Sequence, residues 1–336
     1  MSPITQARLR RFRAHSLGYW SFWLFMVIFV ITMAVPFVAN DKPLLVRYQN
    51  HFYLPVLKSY PETTFGGVFE TETEYLDPAV SAMIKQDGWM LWPPVQFADQ
   101  SVNFDLAVPV PAPPSSQNWL GTDDQGRDVL ARILYGLRVS ILFGLGLTIA
   151  GSLLGIVVGA VQGYYGGWID LVGQRILEVW GGLPQLFMII ILVSLFTPSI
   201  GWLFGIMLLF GWMGLVGLVR AEFLRARNFD YVRAARSMGA TDRVIMFRHI
   251  LPNALSSSLS QLPFILTANI GALTALDFLG YGLPPGSPSL GELMTQGKNN
   301  LDAPWLALSG FFTLSILLSL LIFIGEAARD AFDPRR

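Results

Sequence analysis

The chain has 336 residues, 53% of them hydrophobic and only 14% charged, against roughly 25% charged in soluble proteins. With a mean hydropathy of +0.49, it reads as an all-α polytopic membrane protein rather than a soluble enzyme. Formal net charge is zero, which gives no electrostatic case for nucleic acid, and the absence of Cys excludes disulfides and thiolate metal sites.

Residues 1–18 carry Arg8, Arg10, Arg11 and Arg13 and no acid. Residues 19–39 are then apolar. A cleaved signal peptide would have a shorter apolar core of about 7–15 residues, and bulky Phe37 sits at the −3 position of the only plausible cleavage point, after Ala39. The sequence therefore predicts an uncleaved first span, with Tyr19, Trp20 and Trp23 at the membrane interface.

Residues 40–118 change character. They hold ten of the 21 Pro, and nine acids against four bases. An acidic, Pro-rich stretch can be disordered, but Tyr48, Tyr53, Tyr60, Phe65, Tyr75 and Trp92 could bury a small core. The reading is a compact extracytoplasmic insert, ending in a stiff PVPAPP spacer at 109–114, with a soluble binding protein as the expected partner. Residues 119–336 follow as the permease domain. In WLGTDDQGRDVLARILYGLRVSI, 119–141, Thr122 and Asp123 are candidate caps for a helix carrying Val129, Ile133 and Leu137 on one side.

Five more spans are predicted, at about 139–161, 175–197, 201–219, 254–276 and 305–325. Gly151, Gly155, Gly159 and Gly163 are spaced four apart, a small-residue stripe that lets helices approach closely. Arg220 to Pro252 is a basic island of seven Arg and three acids. In it Tyr231, Ala234, Ala235 and Met238 share one helical face, and Arg233 lies off it. Gly239 supplies a left-handed helix stop, Thr241-Asp242 can cap a second helix, and Leu251-Pro252 opens the next apolar run. Taken alone, this loop reads equally as a solvated charged face. Residues 277–294, DFLGYGLPPGSPSLGELM, contain Gly280, Gly282, Pro284, Pro285, Pro288 and Gly291, too many breakers for a regular helix.

Six spans put both termini on one side. That side carries fifteen Lys and Arg against eight, which makes the termini and the Arg island cytoplasmic. A phosphate cradle of the form G-x4-G-K-[ST] is absent: only Lys58 precedes a Ser, and Leu57 stands where Gly is needed. The six predicted span cores hold no acid or His, which argues against ion-driven transport and intramembrane proteolysis. The His residues at 15, 51 and 249 are too scattered for a metal site.

Three stretches carry a resemblance. Ala234-Ala235, Gly239 and Leu251-Pro252 resemble the EAA loop of ABC-importer permeases, with Arg233 where its Glu would be and His249 where its Ile would be. GTDDQGRD and FLGYGLPPGSPSLGELM resemble two further elements of the dipeptide, oligopeptide and nickel branch. The long insert with DKPLLVRY at 41–48 is similar to the Yej-type permeases of that branch, which import microcin C and oligopeptides. The resemblance implies a type I ABC-importer permease of the inner membrane, working by alternating access. It implies an ATPase-docking set of Tyr231, Arg233, Ala234, Ala235, Met238, Gly239, Leu251 and Pro252. Gly280, Gly282, Pro284, Pro285, Pro288 and Gly291 would shape the extracytoplasmic mouth. Partners would be a second homologous permease, one or two ABC ATPase subunits, an extracytoplasmic solute-binding protein, a peptide and the lipid bilayer. The chain itself would bind no cofactor, with ATP and Mg on the ATPase. The competing reading is a membrane scaffold or regulatory subunit that keeps the fold and transports nothing.

Overall fold

The computed structural model describes residues 3–332. Met1 and Ser2 of the predicted N-terminal tail, and Asp333 to Arg336 of the C-terminal one, lie outside the described residues.

An amphipathic helix α1 (Pro3–Ala14) precedes α2 (Ser16–Met33). The predicted first span is interrupted beyond Met33, where a turn leads into α3 (Val35–Val38). Pro36 has no N–H to continue the ladder. The next long helix, α5 (Val129–Tyr165), begins ten residues before the predicted span. Its cap is Asp128, whose Oδ1 accepts from the Ala131 amide at 2.7 Å. Thr122 and Asp123, the candidate caps, are used elsewhere. The Thr122 hydroxyl accepts from the Ala112 amide at 2.8 Å, and Asp123 accepts from the Arg127 amide at 2.9 Å. Val129, Ile133 and Leu137 are buried together as predicted.

The predicted third span is a bent pair, α6 (Gly167–Gly181) and α7 (Gln185–Ser194), which meet at 74°. Pro184 stands at the break. Helix α8 (Ile200–Gly211) continues through a 3₁₀ turn into α9 (Val216–Ala226). The predicted fifth span is divided between α12 (Leu251–Leu259) and α13 (Leu262–Phe278), with Pro263 in the first turn of the second. The last is α15 (Pro304–Phe332). Among the described residues, four helices are long and apolar enough to cross a membrane, or five if the bent pair is one span. Helix α13, with 17 residues, rises roughly 26 Å against a hydrocarbon core of about 30 Å. The six predicted spans therefore correspond to four long helices, one bent pair and one short helix.

The chain forms two compact units, Met1–Met26 with Ser140–Pro285 and Ser315–Arg336, and Val27–Val139 with Gly286–Leu314. In the second, residues 40–118 hold an antiparallel sheet of β1 (Leu45–Tyr48), β2 (His51–Tyr53) and β3 (Gly88–Leu91), in the order β2-β1-β3. Helix α4 (Pro78–Asp87) precedes β3. Val46, Tyr48, Phe65, Tyr75, Val80 and Ile84 form its core, and Tyr53, Tyr60 and Trp92 pack on it. The aromatic residues thus do bury a core, although Phe52, Phe69 and Trp89 remain exposed. The PVPAPP stretch is not a free spacer: Ala112 is buried, and its carbonyl accepts from the Thr122 amide at 2.9 Å.

In the first unit the glycine stripe of α5 lies against the α8–α9 run. A β-carbon added at Gly155 would stand 2.5 Å from the Trp212 carbonyl oxygen. At Gly159 it would stand 2.7 Å from that of Val216, and at Gly163 2.5 Å from that of Arg220. The atoms in the way are backbone and the β-carbons of Val219 and Phe223, none of which a side-chain rotation can move. Gly159→Leu is expected to destabilise the purified chain by about 1–3 kcal/mol, read as a lower melting temperature. Gly205→Ala, where nothing lies within 4 Å of an added β-carbon, should melt at or above the parent.

Candidate functional site

The Arg-rich segment is a helical excursion from the end of α9. It turns at Asn228–Phe229 into α10 (Asp230–Ser237). Gly239, at φ +82°, ends α10, and the Ala240 amide bonds back to the Ala235 carbonyl at 3.1 Å. That left-handed stop is the predicted one. A short α11 (Asp242–Val244) and a π-turn at Ile245–Ile250 lead into α12. Thr241 makes no side-chain cap, and the Asp242 carboxylate is engaged elsewhere.

Burial divides the predicted docking face. Tyr231 is 41% exposed and Met238 81%. Arg233, Ala234, Gly239 and Pro252 are also exposed, and Leu251 is half-buried. Ala235 is different: at 2% exposure it packs, with Val232, against Val219, Phe223 and Ile245 of the chain's own core. The helix is rotated toward its Val232–Ala235 edge. Val232 offers a compact apolar side chain to that core, whereas the larger Tyr231 and Met238 turn outward. The outward surface is therefore Tyr231, Arg233, Ala234 and Met238.

Polar contacts fasten this excursion to the ends of α5 and α6. The Tyr164 hydroxyl donates to Asp242 Oδ1 at 2.5 Å and accepts from Arg236 Nη2 at 3.1 Å. The hydrogen bond to Tyr164 pushes the Arg236 guanidinium further up from its ordinary value, so it stays charged. Arg220 holds Asp170 through two parallel bonds, one of them Nη2 to Oδ2 at 2.7 Å. Arg227 Nη1 reaches the carbonyls of Gly163 and Tyr164, each at 3.4 Å. Tyr164, Asp170 and Arg227 were not singled out from the sequence. Tyr164 follows directly after the glycine stripe, and that adjacency was the available signal.

The predicted mouth residues fall into two groups. In the first unit Asp277 closes the end of α13: its Oδ1 accepts from the Leu283 amide at 2.6 Å, and a β-carbon at Gly282 would overlap its carboxylate. Gly280 takes a left-handed φ of +80° in the same turn, with Pro284 and Pro285 following. In the second unit Pro288 precedes a helix, α14 (Leu290–Asn299), that the sequence reading did not foresee. Gly291 lies buried inside it, not in an irregular loop. The Ser289 hydroxyl caps α14 by accepting from the Gly291 and Glu292 amides at 3.1 and 3.3 Å.

The GTDDQGRD stretch belongs to a buried charge cluster in that unit. Arg132, fully buried, meets Glu292 Oε2 at 2.6 Å and Asp123 Oδ2 at 3.4 Å. It also donates to the Asp99 and Ser287 carbonyls at 3.0 and 3.1 Å. Arg127 pairs with Asp123 at 2.7 Å. Burial pushes the nearby Asp128 carboxyl up, against hydrogen bonds from the Ala131 amide and Asn118 that pull it down. Glu292 was missed although Ser289-x-x-Glu292 has capping-box spacing. Among the described residues, no group of three or more His, Cys, Asp or Glu could hold a metal ion.

Comparison with known proteins agrees with this architecture. Residues 133–336 match the binding-protein-dependent transport system inner membrane component family, and the chain belongs to it. It is 58% identical, over 100% of its length and 98% of the relative's, to the inner membrane ABC transporter permease protein YejE of Escherichia coli (strain K12). It is 51% identical to the peptidoglycan transport system permease protein YejE of Agrobacterium fabrum (strain C58), over 100% of this chain and 94% of that one. The oligopeptide transport system permease protein OppC of Lactococcus lactis subsp. lactis (strain IL1403) is 35% identical over 67% of this chain and 78% of its own. This is a multi-pass membrane permease subunit and not itself a catalytic enzyme.

Two substitutions separate the inner and outer edges of α10. Ala235→Asp should place an unpaired charge in the chain's own core, costing on the order of 3 kcal/mol or more, and the purified chain should melt earlier. Ala234→Asp should leave the melting temperature unchanged. In the second unit Arg132→Met should leave Glu292 and two carbonyls without their partner, at a similar cost. A melting curve equal to wild type would show that the Arg132 contacts contribute nothing to stability.

Proposed function

We propose that this chain is one of two homologous permease subunits lining the membrane pathway of a peptide importer, driven by ABC ATPase subunits and supplied by an extracytoplasmic solute-binding protein. The relatives' roles in oligopeptide and peptidoglycan transport support a peptide-containing substrate. The observation that carries the reading is the construction of α10. Its inner edge is locked into the core by Val232 and Ala235, and its outer edge offers Tyr231, Ala234 and Met238 with Arg233 beside them. A short helix with one anchored edge and one free edge can take a push from a docked partner and pass it to the spans it is packed on.

In this reading the chain crosses the membrane six times, counting α6–α7 as one broken crossing and α13 as a short one. The charge bias puts both termini and the Arg220–Pro252 segment in the cytoplasm. Residues 40–118 then lie outside, and Gly280 through Gly291 stand at the outer mouth. ATP and Mg are held by the ATPase alone, since no stretch of this chain has the spacing to cradle phosphates. Closure of the nucleotide-bound ATPase would move α10, and through it α9 and the glycine-packed α5, between outward- and inward-open arrangements.

The test is made on complexes reconstituted in liposomes. Met238→Asp adds a charge to the free edge, and Gly239→Leu places a β-carbon at a φ of +82°. Both should leave the chain in the membrane but lower peptide uptake by about tenfold, a barrier change near 1.4 kcal/mol. The isolated chain should show no ATP turnover above a mock preparation. Wild-type uptake and wild-type ATPase capture in both variants would remove α10 as the docking element.

A further inference from the structure

The second unit contains a cavity of about 890 Å³ beside the β-sheet core. Its size falls in the range of ligand pockets, roughly 300–1,000 Å³. Five carboxylates line it, from Asp41, Glu72, Glu74, Asp77 and Asp105, against a single amine, Lys42. Three of the acids are engaged: Glu72 pairs with Lys42, Asp41 accepts from the Ser101 hydroxyl at 2.7 Å, and Asp77 caps α4 through the Ala79 amide at 2.7 Å. The side chains of Glu74 and Asp105 are exposed and have no partner among the described residues. Two unpaired carboxylates therefore remain in a cavity whose only cation is already neutralised.

A further feature points to an occupant. Phe104 is 89% exposed and Trp119 57% exposed, and both line the same cavity. Large aromatic faces left in water next to free carboxylates form the receptor chemistry for an ammonium or guanidinium group, which gains both the ion pair and the ring quadrupole.

We propose that this cavity binds short cationic peptides, holding an α-ammonium or basic side chain on Glu74 and Asp105 and against the rings of Phe104 and Trp119. A concave site of this volume fits a few residues. A protein partner instead needs a broad patch of about 800 Å² on each side. The choice of a peptide rests on the importer reading above. The charge and shape of the cavity do not.

The full chain in lipid nanodiscs is titrated calorimetrically with trilysine, trialanine and triglutamate. Trilysine should bind saturably, more weakly as salt rises, and triglutamate should not bind. The double variant Glu74→Gln/Asp105→Asn should weaken trilysine by about tenfold or more, and Phe104→Ala severalfold. All three side chains are exposed, so melting temperatures should stay at the wild-type value and keep the comparison clean. Equal affinity for trilysine and triglutamate, or wild-type trilysine affinity in the double variant and in Phe104→Ala, overturns the proposal. So does an absence of trilysine binding with weakened capture of a solute-binding protein by the variants, which would assign the cavity to that partner. Uptake in liposomes is scored separately: trilysine binding without peptide uptake counts against the importer reading and leaves the site standing.

Discussion

Between Gly151 and Gly163 the backbone of α5 lies directly on the backbone of the α8–α9 run. In lipid there is no hydrophobic gain from pushing helices together, so close packing has to supply the attraction. Four missing side chains make that possible, and three of the four positions have no room for even a β-carbon. The C-terminal end of α9 inherits its position from this contact. Val219 and Phe223 then form the floor on which Val232 and Ala235 sit. Tyr164, directly after the last glycine, and Arg220, whose carbonyl faces that glycine, add the polar ties to Asp242 and Asp170. The segment carrying α10 thus rests by its own apolar side chains on α9, whose position is set by backbone contact with α5.

The second unit is held by different physics. Arg132 is fully buried and surrounded by two carboxylates and backbone carbonyls. Buried ion pairs of this kind are poor sources of net stability, because desolvation offsets most of the attraction. They are exacting about geometry, since any displacement leaves a charge unpaired. Arg132 therefore sets the position of the residues around Asp99, Ser287 and Glu292 more than it strengthens the fold.

Much of this organisation was legible in the sequence. The glycine stripe has a fixed spacing and one physical meaning, so its role as a close-packed face could be read directly. Gly239 was equally legible, because few residues other than Gly tolerate a left-handed stop. Less legible was which edge of α10 faces inward. Tyr231, Ala234, Ala235 and Met238 form a good helical stripe, but Val232–Ala235 form another, and only the packing decides between them. The capping of α5 was misassigned for a similar reason: GTDDQGRD offers several acceptors, and Asp123 is drawn away by Arg127 and Arg132, leaving Asp128 to cap. Helix α14 was hidden by the prolines that precede it and the glycines within it, although Ser289 and Glu292 mark its start. Charge partners separated by 160 residues, such as Arg132 and Glu292, leave no local trace at all.

The π-turn at Ile245–Ile250 fixes the phase of everything after it. Ile245, Met246, Ile250 and Ala254 are all buried, while Phe247 is 61% exposed. From Ile245 to Ile250 the inward direction recurs on the fifth residue, and from Ile250 to Ala254 on the fourth. The wide turn is thus a one-residue register shift that lets two helical stretches share one inner face. Removing a single residue there would restore an ordinary helix, but every position from α12 onward would rotate by one residue's step. Leu251, Ala254 and Ser258 would leave the core, and the polar side of α12 would turn inward. The length of this segment, as much as its composition, is therefore constrained: it tolerates exchange of side chains more readily than deletion of one.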